Sequence, residues 1–296
     1  MSEPRTIAPN DRNKHPGDNH LKNAVRRVVP RATRNWLRSP SKSLEWLWDA
    51  ARFFLRNTGS LEISPNSYLA CHPRAFKIFR RDQINDPEQS VEFRNFISYC
   101  SSGMLLYDVG AHFGIFSVVA AYFGGKAIAV DPSPEAVGMI EIQRALNKST
   151  DRVQILRAAV SDVDGVIAML SSGVFSDGYF KVDGQRPESE LTQVQAVTID
   201  QMTLKFGIPT HIKIDVEGHE AAVLRGARAT LLQYSPILFV ELHNEMVISA
   251  GENPCAVLDE LTALGYHTFA LDGNYIDTKS ILAKPIIRIV AKHGAL

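Results

Sequence analysis

The stretch Leu105-Leu106-Tyr107-Asp108-Val109-Gly110-Ala111-His112-Phe113-Gly114 constrains the fold of this chain more than any other. Its apolar run before Asp108 suits a parallel strand buried on both faces, and residues 113–122 read as a mostly apolar helix without proline. Gly110 and Gly114 remove side chains where the chain reverses, so backbone N–H groups and the positive helix end can face a polar or anionic ligand. Twenty-one positions after Gly110, a second apolar strand, 127–130, ends in Asp131, the place for an acid that accepts both hydroxyls of a ribose. A glycine turn by itself also serves helix–strand packing. Both signals in order within one βαβ unit point to a nucleoside-type ligand.

The rest of the chain repeats that alternation. Asp86-Pro87-Glu88-Gln89 combines an N-cap, a first-turn proline and a following glutamine, and Phe93, Phe96, Ile97 and Cys100 give the buried face of the helix it opens. After Gly103 come strand 104–109, helix 113–122, strand 127–130, helix 134–146 capped by Ser133, and strand 153–156. Ala158-Ala159-Val160-Ser161-Asp162 reads as a ligand-side loop. Residues 166–170 and 194–199 read as strands around a long loop, a candidate lid or substrate-recognition insert. Strand 211–216, helix 220–232, strand 236–243 and helix 254–264 follow, and strands 266–271 and 286–291 form an antiparallel edge hairpin around Asp272-Gly273-Asn274. The pattern predicts an α/β fold, a mostly parallel seven-stranded sheet with helices on both faces and a C-terminal antiparallel hairpin.

At 296 residues and 45% hydrophobic, the chain can hold one large domain or one domain with an appendage. Its zero net charge hides an asymmetry: residues 1–60 carry twelve Lys or Arg against five Asp or Glu, which leaves the remainder seven charges negative. We divide it into a basic disordered arm (1–40), a helical extension packed on the core (41–100) and the α/β domain (101–296). Leu44, Leu47, Trp48, Ala51, Phe54 and Leu55 make one helical stripe, which docks on the domain or, beside the basic arm, touches an anionic membrane from the side. Docking is the preferred reading. Three scattered cysteines fit neither a disulfide framework nor a zinc site, no run reaches the ~18 apolar residues of a spanning helix, and the first residues lack the apolar core of a signal peptide. A cytoplasmic protein is expected. The basic excess is confined to the arm without a binding motif, so nucleic acid is not an expected partner.

The chemistry concentrates in a second block, His211-Ile212-Lys213-Ile214-Asp215-Val216-Glu217-Gly218-His219-Glu220. Lys213 and Asp215 share one face of a buried strand, where charges are costly unless paired or used, and Asp215 falls at the strand's carboxyl end, where open α/β sheets bind their ligands. In the following strand Glu241 and His243 share a face at the same edge. Glu217 and Glu220 also suit a helix start, and Lys213 also suits a structural ion pair.

With these blocks in order, the chain resembles the FkbM family within the class I, Rossmann-like methyltransferases. The resemblance rests on Tyr107-Asp108-Val109-Gly110-Ala111, Ala158-Ala159-Val160-Ser161-Asp162-Val163-Asp164-Gly165, Val197-Thr198-Ile199-Asp200, the block from Ile212 to Glu220, and Val240-Glu241-Leu242-His243, over about residues 65–290. It departs at His112, where the family commonly has asparagine, and at Asp131, where it often has glutamate. The resemblance implies methyl transfer from S-adenosylmethionine to a hydroxyl of a sugar, glycan or small natural product. Asp108, Gly110, Ala111, His112, Gly114, Asp131, Ala159 and Asp162 would bind the cofactor, with Asp162 accepting from the adenine amino group. Lys213, Asp215, Glu217, His219, Glu241 and His243 would surround the reaction. An alcohol is a poor nucleophile, so a base or a metal must help remove its proton. Asp215, Glu241 and His243 are candidate ligands for magnesium, manganese or iron. Two alternatives stay open: an NAD-dependent oxidoreductase, against which Gly110-x-x-x-Gly114 lacks the G-x-G-x-x-G pattern, and a non-catalytic nucleoside-binding module. Phe175, Tyr179, Lys181 and Arg186 of the long loop leave the acceptor's identity open.

Overall fold

The computed structural model describes residues 59–65, 67–170 and 191–294, so the readings of the basic arm, of the stripe from Leu44 to Leu55 and of the loop 171–190 lie outside the described residues. The described chain opens with a hairpin of β1 (Ser60–Ser64) and β2 (Ser67–Ala70), followed by helices α1 (Pro73–Asn85) and α2 (Pro87–Tyr99). The two helices start by the same chemistry. The side chains of His72 and Asp86 accept from the N–H groups of Arg74 and Glu88, and a proline occupies the first turn.

The main sheet then forms from β3 (Leu105–Val109), β4 (Lys126–Val130), β5 (Val153–Leu156), β9 (His211–Ile214), β10 (Ile237–His243), β11 (Tyr266–Ala270) and β12 (Ile286–His293), in the order β11-β12-β10-β9-β3-β4-β5. All neighbours from β10 to β5 are parallel, and β12 pairs antiparallel with both β10 and β11. The last two strands therefore do form a hairpin. Its second strand, however, inserts between the first and the body of the sheet rather than extending the edge.

Helices cover both faces, as the period-2 alternation of buried strands requires. On one face Tyr107, Ile128, Ile212 and Leu238 pack under α5 (Ile199–Phe206), α6 (Glu220–Arg225), α7 (Arg228–Tyr234) and α9 (Pro254–Ala263). On the other, Leu106, Ala127, Ala129 and Phe239 pack under α1, α2, α3 (Ile115–Tyr122) and α4 (Pro134–Leu146). Phe96 of α2 sits edge-on to Phe116 of α3 and Phe239 of β10, with ring centroids 5.0 and 5.4 Å apart. This docks the N-terminal helices on the sheet. A separate three-stranded sheet, β6 (Ala159–Val160), β8 (Leu191–Val197) and β7 (Gly165–Leu170) in that order, flanks the core. Short helices α8 (Asn244–Ser249) and α10 (Thr278–Ile281) complete the fold. No helix among the described residues is long and apolar enough to cross a membrane.

Four local readings change. The predicted strand 194–199 ends at Val197, because Thr198 accepts from the N–H of Gln201 and starts α5. The loop from Ala158 to Asp162 contains β6, which pairs parallel to β8. Helix 220–232 breaks into α6 and α7 at Gly226, where a Cβ would lie 2.0 Å from the carbonyl oxygen of Ser161, so this crossing excludes any side chain. Helix 113–122 begins only at Ile115, because Gly114 is left-handed (φ 69°). The stretch 41–100, expected to be helical, carries the hairpin β1–β2 ahead of α1 and α2, and the short helices α8 and α10 were not anticipated.

Candidate active site

The carboxyl ends of β3, β4, β9 and β10 deliver Asp108, Asp131, Asp215 and the pair Glu241 and His243 to the top of the parallel sheet. Register arranges them. Asp108 and Phe239 both face Lys213 across β9, and Glu241 faces Arg288 across the β10–β12 pair. These residues share the sheet face that α2 and α3 cover.

The glycine turn is not a cradle of free N–H groups, contrary to the sequence reading. Gly110 and Ala111 both donate to the carbonyl of Val130, His112 donates to Asp131 Oδ2 at 2.9 Å, and Gly114 donates to the carbonyl of Ala111. The anion at the start of α3 is Asp108 itself, whose Oδ2 accepts from Ser117 N and Oγ at 3.1 and 2.6 Å. Burial raises its pKa above the ordinary carboxylate range. Gly110 serves a different need. With φ 78° it lets the end of β9 approach so closely that a Cβ would lie 1.8 Å from the carbonyl oxygen of Asp215. Gly114 similarly abuts Ile140 of α4. His112 is left-handed (φ 51°), a conformation in which asparagine and histidine are both enriched, which accounts for the exchange at this position.

Two cavities open from this turn. The first, about 750 Å³ with its open mouth, is lined by Gly110, His112, Asp131, Ala159, Asp215, Glu217 and His219, among others. Asp131 takes one N–H on each carboxylate oxygen, from His112 and from Ser133, and burial lifts its pKa to about 6. The second cavity, about 610 Å³, lies beyond Gly110 and is walled by α1, α2 and α3, with Ala111, Asp108, Lys213, Asp215 and Glu241 in its lining. Gly110, His112 and Asp215 belong to both. Asp162 lines neither cavity; Arg225 Nε holds it at 3.0 Å, which the loop position alone did not reveal. His219 lines the first cavity and is tied to Ser161 Oγ at 2.9 Å.

The remaining polar groups converge. Lys213, 3% exposed, pairs with Asp215 Oδ2 at 2.9 Å and lies over the ring of Phe116. Burial alone would strip its proton, yet Asp215, Glu92 and Glu241 hold its pKa above the ordinary value. Burial works against ionisation of Asp215 as well, and Lys213 reverses it, keeping this carboxyl below its usual range. His243 Nδ1–H donates to Glu220 Oε1 at 2.9 Å, so Nε2 faces Glu217 Oε2 at 3.4 Å, Glu241 Oε1 at 3.9 Å and Asp215 Oδ1 at 4.0 Å. Burial opposes its charge, but those carboxylates push its pKa up to about 10. Burial lifts Glu217 to about 7 and Glu241 to about 8. Glu217 also sits in a left-handed backbone (φ 54°), a conformation of the kind found where function overrides local preference.

One ligand atom from each of Asp215, Glu241 and His243 falls within 4.8 Å of the others. A carboxylate that fixes one imidazole nitrogen, leaving the other among acids, is a recurrent arrangement behind a metal-bound histidine. The residues present therefore fit a divalent cation, and Asp131 with the first cavity fits a nucleoside.

Sequence reasoning left out two members of the cluster. Glu220 is fully buried, accepting from Gly218 N and meeting His243; the wholly apolar Ala221-Ala222-Val223-Leu224 after it marks a helix start with no solvent face. Glu92 is buried beside Arg288, and its helical spacing with Phe96 and Cys100, at i+4 and i+8, already put it on the inner face.

A model of the FkbM methyltransferase domain matches residues 108–268. Hexuronic acid methyltransferase AglP of Haloferax volcanii is 28% identical over 145 residues, which make up 47% of this chain and 56% of that protein. The match thus spans little more than half of that relative's length. Among solved structures, methyltransferase FkbM from Methylobacillus flagellatus KT aligns at 14% identity, covering 84% of this chain and 60% of that one, with a TM-score of 0.45. A precorrin-6y C5,15-methyltransferase from Geobacter metallireducens aligns at 11% identity over 70% of this chain and 89% of that one, with a TM-score of 0.41. With its model matched over more than half the residues, the chain belongs to the FkbM methyltransferase domain family.

Proposed function

We propose that the protein transfers a methyl group from S-adenosylmethionine to a hydroxyl oxygen of a sugar-like acceptor. The observation that carries this reading is the junction: a nucleoside-sized cavity and a second cavity meet at Gly110, His112 and Asp215. The family membership leaves no support for the oxidoreductase or the purely binding alternative. The name of the Haloferax relative supports a sugar as the acceptor class.

Bound in the first cavity, the cofactor supplies an electrophilic methyl on a sulfonium. Asp131 accepts the ribose hydroxyls, and Ala159 leaves room for the base. Asp215, whose carboxylate stays ionised, accepts the hydrogen bond of the acceptor hydroxyl and aligns its oxygen with the methyl carbon. As the C–O bond forms, the C–S bond breaks with its electron pair left on sulfur, and the hydroxyl proton passes to the Asp215–Glu217–Glu241 acids. A methyl ether and a neutral thioether result. A divalent cation held by Asp215, Glu241 and His243 would acidify the acceptor hydroxyl. Without one, His243 keeps its proton and balances the same acids.

The donor half is checked by calorimetry. Asp131→Ala removes a charged acceptor of two hydroxyls and should weaken S-adenosylhomocysteine binding by about 10- to 100-fold. The sign of the pH effect follows from burial, which raises Asp131 to about 6, so acidification converts the accepting carboxylate to the acid. Affinity should fall by roughly tenfold per unit below that pH, and Asp131→Asn should flatten the profile. Unchanged affinity in the alanine variant would remove Asp131 from the cofactor site.

A further inference from the structure

The second cavity is built in part by residues outside those that match the family model, namely α1 and α2. Phe79 and Asp82 come from α1, and Gln89 and Glu92 from α2. Those helices therefore shape the space beside the Asp215 junction. We infer that this cavity selects an uncharged or amino-bearing polyol and rejects an anionic one such as a uronate; the inference rests on the methyl-transfer reading of the Asp215 junction.

Charge is the first argument. Five carboxyl groups line the cavity, on Asp82, Glu92, Asp108, Asp215 and Glu241. The lysine in its lining, Lys213, is already matched to Asp215 at 2.9 Å. Arg288 stands behind the wall with its side chain 2% exposed, held by Asp86 at 2.7 Å, Glu241 at 2.6 Å and Glu92 at 3.3 Å. His112, the remaining base on the wall, stacks on Phe113 with centroids 3.6 Å apart. An entering carboxylate would lose its hydration and face carboxyl groups, Asp215 among them ionised and matched to Lys213, whereas an ammonium would find carboxyl oxygens to accept its N–H groups.

The rings supply the second argument. Phe79, Phe113 and Phe116 line the same space. An aromatic wall next to carboxylates suits the C–H face of a sugar ring and attracts a cation through the ring quadrupole. The Gln89 amide, able both to donate and to accept, suits neutral hydroxyls.

The test uses the full chain saturated with S-adenosylhomocysteine and three probes on one ring: methyl α-glucoside, methyl α-glucosaminide and methyl α-glucuronide. Saturation-transfer NMR and calorimetry at low salt should rank the glucosaminide and the glucoside at least about tenfold tighter than the glucuronide. Added salt should narrow the gap between the two charged probes. Gln89→Lys, at a half-buried position of the wall, should narrow it too. A glucuronide that binds as tightly as the other two, or no binding by any probe, overturns the inference. If the ranking holds but labelled S-adenosylmethionine gives no methylated product with either favoured probe, charge selection stands and the methyl-transfer reading falls.

Discussion

Asp215→Asn is expected to lower kcat for methyl transfer by about 10³-fold while S-adenosylhomocysteine binding stays within about threefold. The carboxylate lies at the meeting of the two cavities and is the ionised member of the acid cluster. An amide of the same shape still fills the space, but it presents a donor where the acceptor hydroxyl needs an acceptor, and proton removal by a positioned base is worth 10²–10⁴-fold. The fold should survive. Lys213 loses its nearest partner yet remains among Glu92, Glu241 and Asp108, which also favour its charged form. Circular dichroism and calorimetry of the variant, followed by single-turnover transfer, separate the two effects. Normal turnover with Asp215→Asn would move the reaction away from this junction.

Arg288→Met should be the most destabilising single change among the polar residues of the site, at about 3–5 kcal/mol, because it leaves a buried group of acids without its cation. Arg288 reaches Asp86 and Glu92 of the N-terminal helices and Glu241 of the sheet at once. For a domain of this size that loss lowers Tm by roughly 10 °C. The double change Arg288→Met with Glu241→Gln should cost clearly less than the sum of the two single changes, since the second removes one of the stranded charges. Additive losses in chemical denaturation would show that the arginine acts by packing alone.

Much of this architecture is legible in the sequence because the strands are buried on both faces. Continuous apolar runs such as Ile237-Leu238-Phe239-Val240 leave few alternatives, and the polar residues that end them stand out. Asp131, Asp215, Glu241 and His243 were found that way. The missing partners belong to helices, where an acid at a helix start has an ordinary explanation in the dipole. Glu220 was read so, although it turns inward to His243. Asp162 shows what chain order leaves out: a loop acid placed beside the third strand has a tertiary partner, Arg225, that its position along the chain does not reveal. Sequence order likewise cannot show that β12 inserts between β10 and β11, because a hairpin read locally has either strand outermost.

That insertion also sets when the site can exist. Glu241 meets its arginine only after β12 has slotted into the sheet, and Arg288 in turn draws in Glu92, nearly two hundred residues earlier in the chain. Contacts of such sequence separation form late, since loop-closure entropy is lost before they stabilise anything. A chain emerging from the ribosome carries α1, α2 and α3, the walls of the acceptor cavity, early, but Glu241 and the cation that holds it arrive only with β10 and β12. The acid cluster is therefore complete only once the strand nearest the end of the chain is in place, and a chain stopped before β12 would lack both an inner strand of its sheet and the cation that joins Glu241 to Glu92.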